Sequence, residues 1–329
     1  MQNPLVSIIV PVYNAAKYVE RCFNSVISLK YENIECIFID DCSTDNSSEI
    51  LEGITKEHKK VFVIKHSQNK GQAAARNSGI KKACGDYIFF MDSDDEITPN
   101  SISDLVETLQ KYPKSEIIQG AIKQTPFVRH KGDWIDISNM KNLLNYENPR
   151  QIKKMFLSFP RVPVSVWAKL ILREFIVRNE LFFREGIMNE DDEWSYRAAK
   201  YINCISFTKE ICYIYYTTNP NSIMNTPDLT KRINSWLIIF EDMLKNLDDD
   251  VKIMRIRFID SLMQTIFCDI KSDKKYAVFM EKYKEIYEKL RLIKRKYPLA
   301  YIPNKLYVKM KVKQILGNKL SRFLRNMRV

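Results

Sequence analysis

The sequence predicts an α/β protein: a mostly parallel sheet flanked by helices, followed by a helical C-terminal region. Three observations predict it. Short apolar, β-branched runs alternate with helix-periodic segments through the first 125 residues, the pattern that yields parallel strands joined by right-handed crossovers. A polar motif follows each of the first four runs, at the strand ends where such sheets bind ligands. From about Leu229 to Lys296 the pattern is helical throughout, with few glycines.

The elements follow in order. "VSIIVPVY" reads as the first strand, and "AAKYVERCFNSVISL", with Val19, Phe23, Val26 and Ile27 at helical spacing, as the first helix. "IECIFID" is the second strand. "STDNSSEILEGITKEH" opens on capping residues and reads as a helix. "VFVIKH" is the third strand, "GQAAARNSGIKKAC" an Ala-rich helix, "GDYIFFM" the fourth strand and "SISDLVETLQKY" the next helix. Beyond residue 115, "SEIIQGAIKQT" reads as a strand and "NPRQIKKMFLS" as a helix. "SVWAKLILREFIVRNEL" and "NEDDEWSYRAAKYI" also read as helices, and "CISFTKEICYIYYTT" as a pair of strands. The expected domains are 1–227, made of halves 1–115 and 116–227, then a helical domain 228–300 and a basic amphipathic tail 301–329. The boundary falls at "NTPDLT".

The bulk numbers exclude several classes. At 45% apolar and 28% charged over 329 residues, the composition is globular. No apolar run reaches membrane-spanning length, and the N-terminus lacks the basic region and cleavage site of a secretion signal. Seven scattered cysteines, odd in number and without a CxxC, read as reduced thiols of a cytoplasmic protein. Residues 271–329 hold 18 Lys and Arg against 4 Asp and Glu, whereas residues 1–270 hold 34 against 36. The net charge of +12 therefore belongs to the tail, and nucleic-acid binding by the body is not expected.

Chemistry concentrates at the four strand ends: "PVYN", "DDCSTD", "SQNKG" and "DSDDE". Asp92 and Asp94, two apart on an extended chain, share a face. A carboxylate pair of this kind suits Mg²⁺ or Mn²⁺ that also holds substrate phosphates, and a cation would cancel their mutual repulsion. Asp95 and Glu96 read as the lead into the next helix. Asp41 is placed to accept hydrogen bonds from a base or ribose, with Asp45 as a helix cap or a further ligand. Arg76 projects from the first turns of its helix, able to hold phosphate or to bridge the acids. Far along the chain, "NEDDE" (Glu190 to Glu193) opens a helix, where the dipole favours acids, and also offers a general base for a hydroxyl. Neither GxGxxG nor GxxxxGK[ST] occurs, which disfavours dinucleotide and P-loop readings.

Four ordered stretches, "VSIIVPVYNAAKYVERCFNSV", "IFIDDCSTDNS", "NKGQAAARNSGI" and "GDYIFFMDSDDEI", resemble the family 2 glycosyltransferases of the GT-A fold. The resemblance is dense over residues 5–100. A weaker stretch, "VWAKLILREFIVRNELFFREGIMNEDDEWSYR", resembles the acceptor half of members that build bacterial capsules, teichoic acids and cell-surface polysaccharides. The resemblance implies an inverting, metal-dependent transfer of a single sugar from a nucleotide-diphosphate donor, a uridine one as a rule, to a glycan or polyprenyl-diphosphate-linked acceptor. It places Pro11, Val12 and Tyr13 around the base and Asp41 on it. Asn69 and Arg76 fall on the base or phosphate side, Asp92 and Ser93 with the nucleotide sugar, and Asp94 on the metal with Asp92 in its shell. Asp191 is implied as the catalytic base, with Asp192 a rival. The QxxRW of processive synthases is absent. Two alternatives stay open: a nucleotide-sugar-binding assembly module without catalysis, and an Asp-x-Asp phosphatase. The phosphatase is disfavoured because Glu96 stands where it would have Thr or Val.

The tail, "NKLYVKMKVKQILGNKLSRFLRNMRV", has no acid, and Val312, Leu316, Leu320, Phe323 and Met327 recur at helical steps. A basic amphipathic helix of this kind points to an anionic membrane surface. The protein is then cytoplasmic and peripheral on the inner leaflet of the plasma membrane; a partner chain or a homo-oligomer stays open.

Overall fold

The computed structural model describes residues 3–56, 58–126, 137, 145–157, 162–219, 229–245 and 252–297. The chain divides into two compact units, one of Met1–Phe156 with Pro160–Pro227, the other of Leu157–Phe159 with Asp228–Val329.

In the first unit the strands are β1 (Val6–Val12), β2 (Ile34–Asp40), β3 (Val61–Lys65), β4 (Tyr87–Phe90), β5 (Glu96–Ile97), β6 (Ile117–Thr125), β7 (Asn145–Tyr146), β8 (Lys169–Leu172) and β9 (Ile205–Tyr216). The helices are α1 (Val19–Ile27), α2 (Ser47–Thr55), α3 (Gln72–Lys82), α4 (Ser101–Lys111), α5 (Pro149–Leu157), α6 (Arg173–Arg178) and α7 (Glu190–Ala198). Among the described residues the strands form one sheet in the order β3-β2-β1-β4-β8-β6-β9-β5, with β7 on β9. β3, β2, β1 and β4 are parallel, as the alternation of elements predicts. β8 runs antiparallel to both neighbours.

Period-two alternation builds a core on each face of the sheet. Ile9, Ile88 and Phe90 face one core with Ala73, Ala75 and Ile80 of α3 and Trp194 of α7. Ile8, Val10 and Phe89 face the other with Val19, Cys22, Phe23 and Val26 of α1 and Ile102, Leu105 and Val106 of α4. Burying each such large side chain stabilises the fold by about 1.5–3 kcal/mol. The alanines of α3 have a further consequence. A Cβ on Gly79 would come within 2.4 Å of Ile9 Cγ2, so small residues let α3 lie close on β1. Arg76, on the same helix, is thereby carried beneath the strand ends.

Two expected elements differ. "SVWAKLILREFIVRNEL" is not a helix: it holds β8 and then the short α6. β8 lies between β4 and β6, with Leu170 in one core and Ile171 in the other. A strand buried on both faces loses its alternation and reads like a buried helix. "CISFTKEICYIYYTT" is one strand of 12 residues and not two. Its register on β6 jumps from Gln119↔Phe207 to Ala121↔Ile211, so the polar "TKE" is a bulge, not a hairpin turn.

The second unit is helical, with α8 (Thr230–Lys245), α9 (Lys252–Ser272), a 3₁₀ segment Lys274–Phe279 and α10 (Met280–Lys296). Trp236, Phe240, Ile259, Met263, Tyr283, Ile286 and Leu290 are buried in it. Its ion pairs include Arg232–Asp269 at 2.9 Å and Lys282–Glu241 at 3.1 Å. The tail 301–329 lies outside the described residues. Among those described, no helix is long and apolar enough to cross a membrane, and the seven cysteines are unbridged.

Candidate active site

The acid loop after β4 and the first turn of α7 meet around one side chain, Arg76 of α3, which is 1% exposed. Its Nη1 donates to Glu190 Oε1 at 2.8 Å and to Asp191 Oδ1 at 2.6 Å; its Nη2 donates to Asp92 Oδ1 at 3.0 Å. Arg76 therefore bridges the acids, one of the two roles read from its position. Asn77 fastens the next layer: its amide donates to Phe183 O at 2.9 Å and its Oδ1 accepts from Phe183 N at 2.8 Å. Phe183 packs under the guanidinium and stacks on Trp194 of α7. These contacts bring the first turn of α7, with Glu190 and Asp191, up to the end of β4.

The acid loop after β4 is more differentiated than its sequence suggests. Asp92 Oδ1 also accepts from Gln72 Nε2 at 2.9 Å, and Asp94 Oδ2 accepts from Asn219 Nδ2 at 2.7 Å. A carboxylate has about four lone-pair sites, so Asp92 and Asp94 each keep capacity for a further partner. That donor set fits Mg²⁺ or Mn²⁺ once phosphate or water oxygens complete the shell. Among the described residues no group of three His, Cys, Asp or Glu could hold an ion unaided. Burial, and after it the charge of Asp92, raises the Asp94 carboxyl above its ordinary range, a strain that a cation relieves.

Asp95 and Glu96 do not lead into a helix. Asp95 is fully buried; it accepts from Tyr213 Oη at 2.8 Å and from Tyr216 N at 2.8 Å. Burial first, then Asp92 and Asp94, push it up to about 9. Tyr213 Oη in turn accepts from Asp92 N at 3.0 Å, so β9 grips the loop from within. Glu96 belongs to β5 and meets Arg21 Nε at 2.9 Å and Tyr216 Oη at 3.0 Å. The correction has a tertiary cause: β9 lies beside this loop only because of the sheet order.

Asp191 is 21% exposed at its side chain, and its Oδ2 accepts from Val166 N at 3.3 Å. Burial pushes its carboxyl up to about 7; Arg76 works against this, and Glu190 and Asp92 add to it. A carboxyl near 7 is suited to proton transfer. Asp192, the rival base, lies one position on in the same first turn of α7.

The remaining expected residues fall as follows. Pro11 and Val12 are buried in β1, and Tyr13, 49% exposed at its end, is the side chain of the three that reaches the surface. Asn69 is exposed and Ser93 is half-buried. Asp41 faces inward: Oδ1 accepts from Lys70 N at 2.9 Å and meets His66 Nδ1 at 2.6 Å, and Oδ2 accepts from Gly71 N at 2.7 Å. It holds the loop that starts α3. Asp45 accepts from Ser47 N and Ala16 N, both at 3.0 Å, and so ties the start of α2 to the β1–α1 loop. Sequence reasoning left Gln72, His66, Tyr213 and Asn219 without roles, and it read Glu190 only as a helix-start acid or one of the candidate bases. Gln72 was within reach, since it follows Gly71 at the helix start; nothing local marks Tyr213 or Asn219.

Known proteins resemble this chain in sequence and fold. The profile of Glycosyl transferase family 2 matches residues 7–177. The glycosyltransferase GlyG of Streptococcus pneumoniae serotype 4 is 31% identical over 308 residues, covering 88% of this chain and 96% of GlyG. Among solved structures, S. aureus TarS 1–349 in complex with UDP-GlcNAc superposes with a TM-score of 0.63 at 21% identity, over 78% of this chain and 70% of that one. The mannosyltransferase PcManGT from Pyrobaculum calidifontis, in complex with GDP-Man and Mn²⁺, gives 0.53 at 13% identity over 90% and 88%. The α/β sheet flanked by helices is thus the GT-A fold, and the chain belongs to glycosyl transferase family 2.

Proposed function

We propose that this glycosyltransferase is inverting and metal-dependent, and that it moves a single sugar from a UDP-sugar to a hydroxyl of a glycan or polyprenyl-diphosphate-linked acceptor in cell-surface polysaccharide synthesis. The observation that carries the reading is the shared guanidinium. Arg76 joins Asp92, on the strand-end loop, to Asp191, 99 positions further along the chain. Direct displacement at an anomeric carbon needs both: acids that hold the leaving diphosphate's cation, and a carboxylate that deprotonates the incoming hydroxyl.

In this reading Asp92 and Asp94 hold Mn²⁺ or Mg²⁺, which when bound stabilises charge on the leaving diphosphate. Tyr13, exposed at the end of β1, offers a ring to the base, and Pro11, Val12, Asp41, Asn69 and Ser93 shape the donor side. Asp191 Oδ takes the acceptor proton as the new bond forms. Arg76 and Val166 N–H hold that carboxylate in place, and Glu190 keeps its proton affinity high. Enclosure of this buried cluster limits loss of donor to water. The TarS and PcManGT complexes, with a uridine and a guanosine donor, support a nucleotide sugar as partner and make the base a matter for measurement.

The test is turnover of UDP- and GDP-sugars with Mn²⁺, scored by released nucleotide diphosphate. Asp191→Asn is expected to lose about 10²–10⁴-fold in kcat, with donor KM little changed; Asp192→Asn is expected to keep most activity. The reverse pattern would move the base to Asp192. The basic tail supports a peripheral seat on the inner leaflet, on the cytoplasmic side. Sedimentation with anionic liposomes should weaken when residues 303–329 are removed; equal binding discards the idea.

A further inference from the structure

A loop buried away from water has to satisfy its backbone polar groups within the protein. Residues 162–166 form such a loop, each of them buried. Three consecutive carbonyls in it are taken by side chains. Lys169 Nζ donates to Pro163 O at 2.9 Å and also to Ser165 O, and Ser195 Oγ of α7 donates to Val164 O at 2.6 Å. The next residue, Val166, turns its N–H to Asp191 Oδ2. Every residue in this chain of contacts belongs to the same compact unit.

Lys169 is an unexpected occupant of its position. It is 1% exposed, on the central strand β8, where Leu170 and Ile171 fill the two cores. Lysine is almost never fully buried unless paired. Burial pushes this ammonium down to about 7, and the nearby charge of Asp191 works against that shift. An apolar side chain would serve packing alone at less cost, so the lysine's donors need a use, and the carbonyls of Pro163 and Ser165 are that use.

We propose that Lys169 is a positioning residue for Asp191: by fixing the carbonyls of residues 163 and 165, it fixes the Val166 N–H that orients the carboxylate. The proposal rests on Asp191 being the base. Lys169 touches neither Asp92 nor Asp94, so its effect falls on the chemical step and not on donor binding.

The experiment is a mutant cycle read by steady-state kinetics, with whichever nucleotide sugar gives turnover in the UDP- and GDP-sugar screen. Lys169→Met keeps the apolar stem and removes the donors. It is expected to lower kcat about 10²-fold, as a misplaced catalytic group does, with donor KM within about twofold. Ser195→Ala, which cuts the other tether to the loop, is expected to lower kcat with the same split. In an Asp191→Asn background Lys169→Met should add little, because the two act as one unit. A loss carried by KM, or an undiminished kcat loss in the Asp191→Asn background, overturns the proposal. If Lys169→Met fails to fold, an unchanged kcat in Ser195→Ala overturns it instead. Wild-type turnover in Asp191→Asn alone would sink the base assignment, a failure distinct from that of Lys169.

Discussion

Arg76 carries one positive charge against three carboxylates: Asp92, Glu190 and Asp191. Removing one partner of a buried charge network leaves the others uncompensated, typically at about 3–5 kcal/mol. Arg76→Met is therefore expected to destabilise the protein by that order in urea denaturation. Arg76→Lys should fold better yet transfer sugar poorly, because an ammonium cannot reproduce the fork that spans three acceptors. The base has a pH signature. Burial pushes the Asp191 carboxyl up to about 7, and a base works only when deprotonated. kcat/KM should then fall as pH drops below about 7, and Asp191→Asn should lack that limb in a profile from about pH 5.5 to 9. At this scale the sequence marked Asp92, Asp94, Arg76 and Asp191. It misjudged Asp95, whose partners Tyr213 and Tyr216 lie about 120 positions away.

The element that organises the site is α3. Its start depends on Gly71, whose φ of +88° and ψ of 163° lie where a side chain is strained, and on Asp41, which takes the amides of Lys70 and Gly71. Nothing lies within 4 Å of a Cβ added at Gly71, so Gly71→Ala should cost backbone strain alone, about 1–3 kcal/mol. A chemical-denaturation midpoint shift with unchanged slope would show it. The first four strands and α1 to α4 were legible because short apolar runs, each ended by a polar motif, alternate with longer helical segments. β8 was not, since it ends at Leu172 and α6 starts at Arg173 with no turn residue between them, so the two read as one helix. β9 was split in expectation because its bulge exposes "TKE", a sequence that elsewhere would be a turn.

For the molecule as a whole, the carboxylates of Asp92 and Asp94 predict linkage between metal and stability. Mn²⁺ with UDP should raise the Tm of the wild type, since a ligand bound only by the folded state stabilises it. Asp94→Ala should lose most of that increment in the same thermal-shift measurement. The sequence by itself determined the α/β class, the carboxyl-end placement of four polar motifs, the family resemblance and the basic tail. Each of these is written in local periodicity, spacing or composition. The tertiary structure alone decided that Arg76 joins the acid after β4 to those of α7, that Tyr213 and Asn219 hold the acid loop, and that a buried lysine stands behind Asp191. The contacts of Arg76 with α7, and of Tyr213 and Asn219 with the acid loop, join residues 114 to 125 positions apart, and they follow from sheet order, with β8 antiparallel beside β4 and β9 parallel beside β6. The pattern of any one segment does not encode which strands become neighbours.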